Sequence, residues 1–128
     1  MTSQIKIAFA LMIGIVIGSV GFGALHAQTK TPAAYWVTET LEMTDQAAFM
    51  NTIKGVPPTL QPFGGHYIVR GGKIVPGVGS LPSRITIIAF DSLEKAEQWL
   101  SDPTALALRT EAQKHAKVRE YTVQGVAD

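Results

Sequence analysis

Two side chains with chemical capacity, His66 and Arg70, stand at alternating positions along His66-Tyr67-Ile68-Val69-Arg70. Successive side chains of a strand point to opposite faces, so His66, Ile68 and Arg70 are predicted to share one face. Arg70 would offer a fixed fork of N–H donors to a small anion or carbonyl. His66, as an imidazole, would shuttle a proton. Glu39, on an earlier extended segment, is the carboxylate within reach of either. Two readings stay open. Glu39, His66 and Arg70 form a polar ligand pocket, or Arg70 and Glu39 form an ion pair that fixes the register of an interface.

Other chemistries are excluded by residue type. The 128 residues contain no Cys, which removes disulfides, thiolate nucleophiles and Cys-ligated metal centres. His66 and His115 lack the spacing of a metal motif, so no metal is expected. Ser92-Leu93-Glu94-Lys95 matches an acylation motif, but its companion motifs are missing and helix capping accounts for Ser92. Gly71-Gly72-Lys73 is no phosphate loop, because Ile74 replaces the hydroxyl residue and Tyr67 stands at the first glycine position. No cofactor is expected. A net charge of +1 gives no basic face for nucleic acid.

The chain opens with one cation, Lys6, followed by Ile7–Leu25, all apolar or Gly except Ser19. This is the pattern of a secretory leader over residues 1–27, with the cut between Ala27 and Gln28. An uncleaved anchor is the alternative, since the run has the length to span a bilayer. Cleavage leaves 101 of the 128 residues, with ten cations against ten carboxylates. The expected location is periplasmic or secreted, with membrane contact only if the leader is retained. Residues 28–33 read as a flexible lead-in, and residues 34–126 as one domain.

The elements that must position the side chains follow from local pattern. Ala34–Glu42 is β-branched and aromatic and predicts a strand. Thr44 or Asp45 caps a helix whose apolar face is Ala47, Met50 and Ile53, interrupted at Gly55 and Pro57-Pro58. His66–Arg70 is a second strand, with room for a short one at Lys73–Val75, and Arg84–Phe90 is the next. Asp91 through Glu94 looks like a capping box with Asp91 as cap, leading a helix striped by Leu93, Ala96 and Leu100 or Trp99. Asp102-Pro103 starts a further helix striped by Ala105, Leu108, Ala112 and Ala116, and Arg119–Val126 is the last strand.

Right-handed crossovers and a short hairpin connection turn this order into an α+β fold. It is a ferredoxin-like four-stranded antiparallel sheet with helices on one face. Arg84–Phe90 is apolar on both alternations, so both of its faces need cover. The chain has no spare element, and a second copy packed sheet to sheet supplies it.

Further residues carry a resemblance: Ala34-Tyr35-Trp36-Val37, Pro58-Thr59-Leu60, Phe63-Gly64-Gly65 followed by Val69-Arg70-Gly71-Gly72, Phe90 through Glu94 with Trp99, and Val123-Gln124-Gly125-Val126. Over residues 34–126 the chain resembles the DUF1330 family of the dimeric α/β-barrel superfamily. The resemblance implies a ferredoxin-like protomer and a homodimer forming a barrel, and no particular activity. Two departures stand out. Ala89 occupies a position that commonly carries an acid. Ala105 stands where a Tyr is common, and Arg109 sits nearer to it than the family's Arg. The resemblance thus implies an altered pocket. The expectation is an exported homodimer that binds a small molecule, between sheet and helices or in the barrel, or serves as an interaction module. The alternative is a cofactor-independent monooxygenase or isomerase acting on a small carbonyl or aromatic substrate.

Overall fold

The computed structural model describes residues 30–127. The leader over residues 1–27 and its cleavage junction lie outside the described residues. The strands are β1 (Ala34–Met43), β2 (His66–Arg70), β3 (Arg84–Phe90) and β4 (Ala116–Gln124). The helices are α1 (Gln46–Ile53), α2 (Val56–Leu60), α3 (Leu93–Ser101) and α4 (Pro103–Ala112), with a 3-10 turn at Gln61–Phe63. The sheet order is β2-β3-β1-β4, and every pair is antiparallel. This is the ferredoxin-like arrangement that the element order predicts, with β3 between β2 and β1.

Period-two alternation assigns the faces. Ala34, Trp36 and Thr40 of β1 and Thr86, Ile88 and Phe90 of β3 are buried toward the helices. Trp99 of α3 is fully buried at the centre of this core. Its ring meets Trp36 edge-on at 5.2 Å and Phe90 at 5.6 Å, in the offset geometries that aromatic quadrupoles favour. The indole N–H donates to Thr59 Oγ1 at 3.0 Å, so a buried donor is satisfied.

Several local expectations are corrected. Ser92, not Asp91, caps α3, its hydroxyl accepting from the Lys95 N–H at 3.2 Å. Phe49 is the buried residue of α1, while Met50 is exposed. Phe49 and Ile53 are four residues apart, so they stack on the sheet-facing stripe. Lys73–Val75 forms no strand. The last helix ends at Ala112 and β4 begins at Ala116, opposite Met43. The His115 carbonyl there accepts from the Thr44 and Asp45 N–H groups, both at 3.0 Å, which ties the strand's start to the entry of α1. Asp102 caps α4 as expected, accepting from the Ala105 N–H at 3.0 Å, with Pro103 at the first position.

Candidate functional site between sheet and helices

Arg70 departs from simple alternation. His66 pairs with Ala89, Tyr67 with Ile88, Val69 with Ile87 and Arg70 with Thr86. Two steps on β2 are matched by one step on β3 at Ile68, which is a β-bulge. The extra residue resets the pleat. His66 and Val69 lie on the face away from the helices, whereas Tyr67 and Arg70 lie on the helix face. The expectation that His66, Ile68 and Arg70 share a face is therefore wrong. Alternation is a rule for regular strands, and nothing in HYIVR marks where it is broken.

Glu39 is not near Arg70 either. It pairs across β4 with Arg119 on the sheet face opposite the helices. Arg119 donates twice to its carboxylate, at 3.0 and 2.9 Å, and the Tyr121 hydroxyl donates at 3.2 Å. These bonds hold the Glu39 carboxyl below its ordinary value, although burial works the other way. Of the three residues expected to converge, Arg70 faces the helices while Glu39 and His66 lie on the other side of the sheet. Within the protomer, Glu39 and Arg70 form no ion pair.

Arg70 instead lines a cavity between the sheet and α1, α2 and α4. The cavity encloses about 60 Å³. Its walls are mainly apolar, with Trp36 and Ile88 from the sheet and Phe49, Trp99 and Leu108 from the helices. Its charged groups are Arg70, Arg84, Arg109 and Glu120. The Arg70 guanidinium stacks over the Tyr67 ring at 4.4 Å, a cation–π contact. Burial pushes the Tyr67 phenol up, against the pull of Arg70 and Arg84.

Arg109 is the most buried of these groups, with 8% of its side chain exposed. One guanidinium nitrogen, Nη2, donates to the Leu100 carbonyl at 2.8 Å. The guanidinium also lies 4.9 Å from the Trp99 ring centre. Its charge partner is Glu120, whose Oε1 stands 3.9 Å from Nε, too far for a hydrogen bond. Among the described residues, Nε and Nη1 are buried without a hydrogen-bond partner. Burial lowers the Arg109 pKa, opposed by Glu120. Burial likewise raises the Glu120 carboxyl, opposed by Arg109.

Sequence reasoning missed Arg84 and Glu120 as neighbours of Arg70, and reached Arg109 only through the resemblance. A signal existed for each. Arg84 shares the alternation of Thr86, Ile88 and Phe90, and Arg109 lies four residues from the buried Ala105, on the same helix stripe. A cation on an apolar stripe is the mark of a lined cavity or a buried pair. Ala89 sits on the face away from the helices, opposite His66, so the family's acid position is not part of this cavity. Ala105 is buried at the start of α4.

The family model described as a domain of unknown function, DUF1330, matches residues 33–126. No protein of curated function matches the chain significantly. Among solved structures, a protein of unknown function from Rhodopseudomonas palustris is similar, with a TM-score of 0.60 and 12% identity over 82% of this chain and 91% of that one. A hypothetical Arabidopsis thaliana protein gives 0.55 and 14% over 78% and 93%. SnoaB, a cofactor-independent oxygenase from Streptomyces nogalater, gives 0.51 and 12% over 75% and 95%. At these identities the likeness is one of fold.

Proposed function

The chain belongs to the DUF1330 family, and from that premise we propose that it is an exported homodimer that binds a small molecule between its sheet and its helices. The observation that carries the reading is the cavity itself: apolar walls with a few convergent polar groups, the usual composition of a small-ligand site. Arg109 and Glu120 add opposite charges to otherwise mainly apolar walls.

Homodimer formation is supported by the sheet face away from the helices. Val37 and Ala89 there are already buried, while Tyr121 and Val123 on the same face are large and about half exposed. A second copy packed sheet to sheet covers them. Export rests on the apolar segment Ile7–Leu25 and the junction at Ala27.

Catalysis is the weaker reading. An oxygenase or isomerase needs an acid/base pair converging on the substrate. The cavity's lining includes Glu120 but neither His66 nor His115. His115 instead contacts Glu111 at 3.3 Å.

A thermal-shift screen of small neutral and charged compounds tests the ligand reading. Compounds that bind in the cavity raise the unfolding midpoint and perturb Trp99 fluorescence. A screen without a hit overturns the reading. Light scattering at micromolar concentration is expected to give twice the protomer mass, and intact mass is expected to place the mature start at Gln28. Full-length mass in the membrane fraction would replace the cleaved leader with an anchor.

A further inference from the structure

We infer that the mouth of the cavity holds a phosphate-type dianion, inorganic or as a phosphomonoester, between the guanidiniums of Arg70 and Arg84. The site lies at the rim and does not rest on a ligand filling the enclosed space. Arg70 lines the cavity yet is exposed, and Arg84 is partly buried, so the pair marks where the cavity meets solvent. Arg70 closes β2 and Arg84 opens β3. Arg70 pairs with Thr86, which lies two residues beyond Arg84 on the same face. The two arginines are therefore diagonal neighbours, about 7–8 Å apart at Cα, a spacing from which long side chains reach one ligand.

Both heads are already placed. The Arg70 guanidinium stacks on the Tyr67 ring at 4.4 Å. The Arg84 guanidinium occupies the room left by Gly71, whose missing Cβ would meet it. Burial raises the Tyr67 phenol and both guanidiniums pull it back, so the two charges act on one spot. Placing them beforehand reduces the ordering cost of binding.

Charge is segregated along the chain. From Gln46 to Phe90 there is no Asp or Glu, yet the segment carries Lys54, Arg70, Lys73 and Arg84. Among the described residues, the Arg70 and Arg84 side chains make neither an ion pair nor a hydrogen bond. Arg109, Lys114, Lys117 and Arg119, by contrast, each stand 2.9–3.9 Å from a carboxylate. Two like charges held close together with no counter-charge repel, and an anion between them removes that repulsion.

The number of forks selects the anion. One guanidinium satisfies both oxygens of a carboxylate. Two guanidiniums on neighbouring strands match a group with about two negative charges and three acceptor oxygens, which is a phosphomonoester or inorganic phosphate. At the rim the anion keeps part of its hydration, so the transfer cost is smaller than in the interior.

The test uses protein purified after expression of the full chain, titrated by calorimetry at low salt with inorganic phosphate, phenyl phosphate and benzoate. Phenyl phosphate and benzoate share a ring and differ in the charged group. Phenyl phosphate is expected to bind at least about tenfold more tightly than benzoate, the scale of one additional charge-assisted hydrogen bond. Its ranking against inorganic phosphate tells an ester ligand from the free ion. Arg70→Met and Arg84→Met are each expected to weaken phosphate binding about tenfold or more. Should Arg84→Met fail to fold, Arg84→Lys keeps the charge, loses the fork, and is expected to weaken binding as well. Lys95→Met removes an exposed, unpaired cation on α3 and is expected to leave binding unchanged. Benzoate binding as tightly as phenyl phosphate would overturn the inference. So would a loss at Lys95→Met equal to that at either arginine, which would reduce the effect to diffuse attraction. Absence of binding by both phosphates at millimolar concentration would overturn it too, while leaving the cavity reading to its own screen.

Discussion

His66 and Arg70 lie on opposite faces of the sheet although they stand four positions apart, an even spacing that would place them on one face of a regular strand. The cause is the extra residue at Ile68, which is half exposed. Deleting Ile68 is expected to leave a regular strand in which His66, Tyr67, Val69 and Arg70 keep their partners on β3. The variant should fold with a native circular-dichroism spectrum and an intact cavity. Loss of the fold would show that the bulge itself is needed.

Glu39 makes the face away from the helices acid-sensitive. Hydrogen bonds from Arg119, assisted by Tyr121, hold its carboxyl below the ordinary value of 4.5. A carboxylate with a depressed folded pKa contributes stability above its unfolded value and loses it as pH falls through the folded one. The unfolding midpoint is therefore expected to hold near neutral pH and to drop below pH 4.5. Glu39→Gln should remove part of that drop in thermal melts across the acid range. An unchanged acid limb would dissociate Glu39 from the effect.

Gly71 holds a position that a side chain would disturb twice. Its φ of 66° lies in the left-handed region, and a Cβ would meet the Arg84 guanidinium. Gly71→Ala is expected to cost about 1–3 kcal/mol in urea unfolding, the range for strained backbone positions. Gly72→Ala is the control, because a Cβ there meets nothing within 4 Å. It should change stability by no more than about 0.5 kcal/mol. Equal effects at the two glycines would remove the role assigned to Gly71.

Trp99 joins α3 to the sheet through Trp36 and Phe90, and to the α2 segment through Thr59. Trp99→Ala is expected to cost about 3–5 kcal/mol, as for other buried aromatic truncations. Leu106→Ala, on the exposed side of α4, should cost far less. Denaturant titration of both variants gives the comparison.

The element order was legible in the sequence, and so was the antiparallel sheet with β3 between β2 and β1. These features rest on local signals: β-branched runs, the Asp102-Pro103 start of α4, and connection lengths that limit the topology. The doubly apolar Arg84–Phe90 segment also marked the centre of the fold, where Ile88, Ala89 and Phe90 are all buried. The side on which Arg70 emerges was not legible. A bulge is settled by how two strands pair, and Ile68 carries no mark of it in its own segment. Nor was the meeting of Arg84, Arg109 and Glu120 legible, since β3, α4 and β4 bring them together only when the helices close over the sheet. Local chemistry determined which elements form. Long-range pairing and packing decided which of their charged groups share a cavity, because a strand's register and a helix's docking depend on partners distant in the chain.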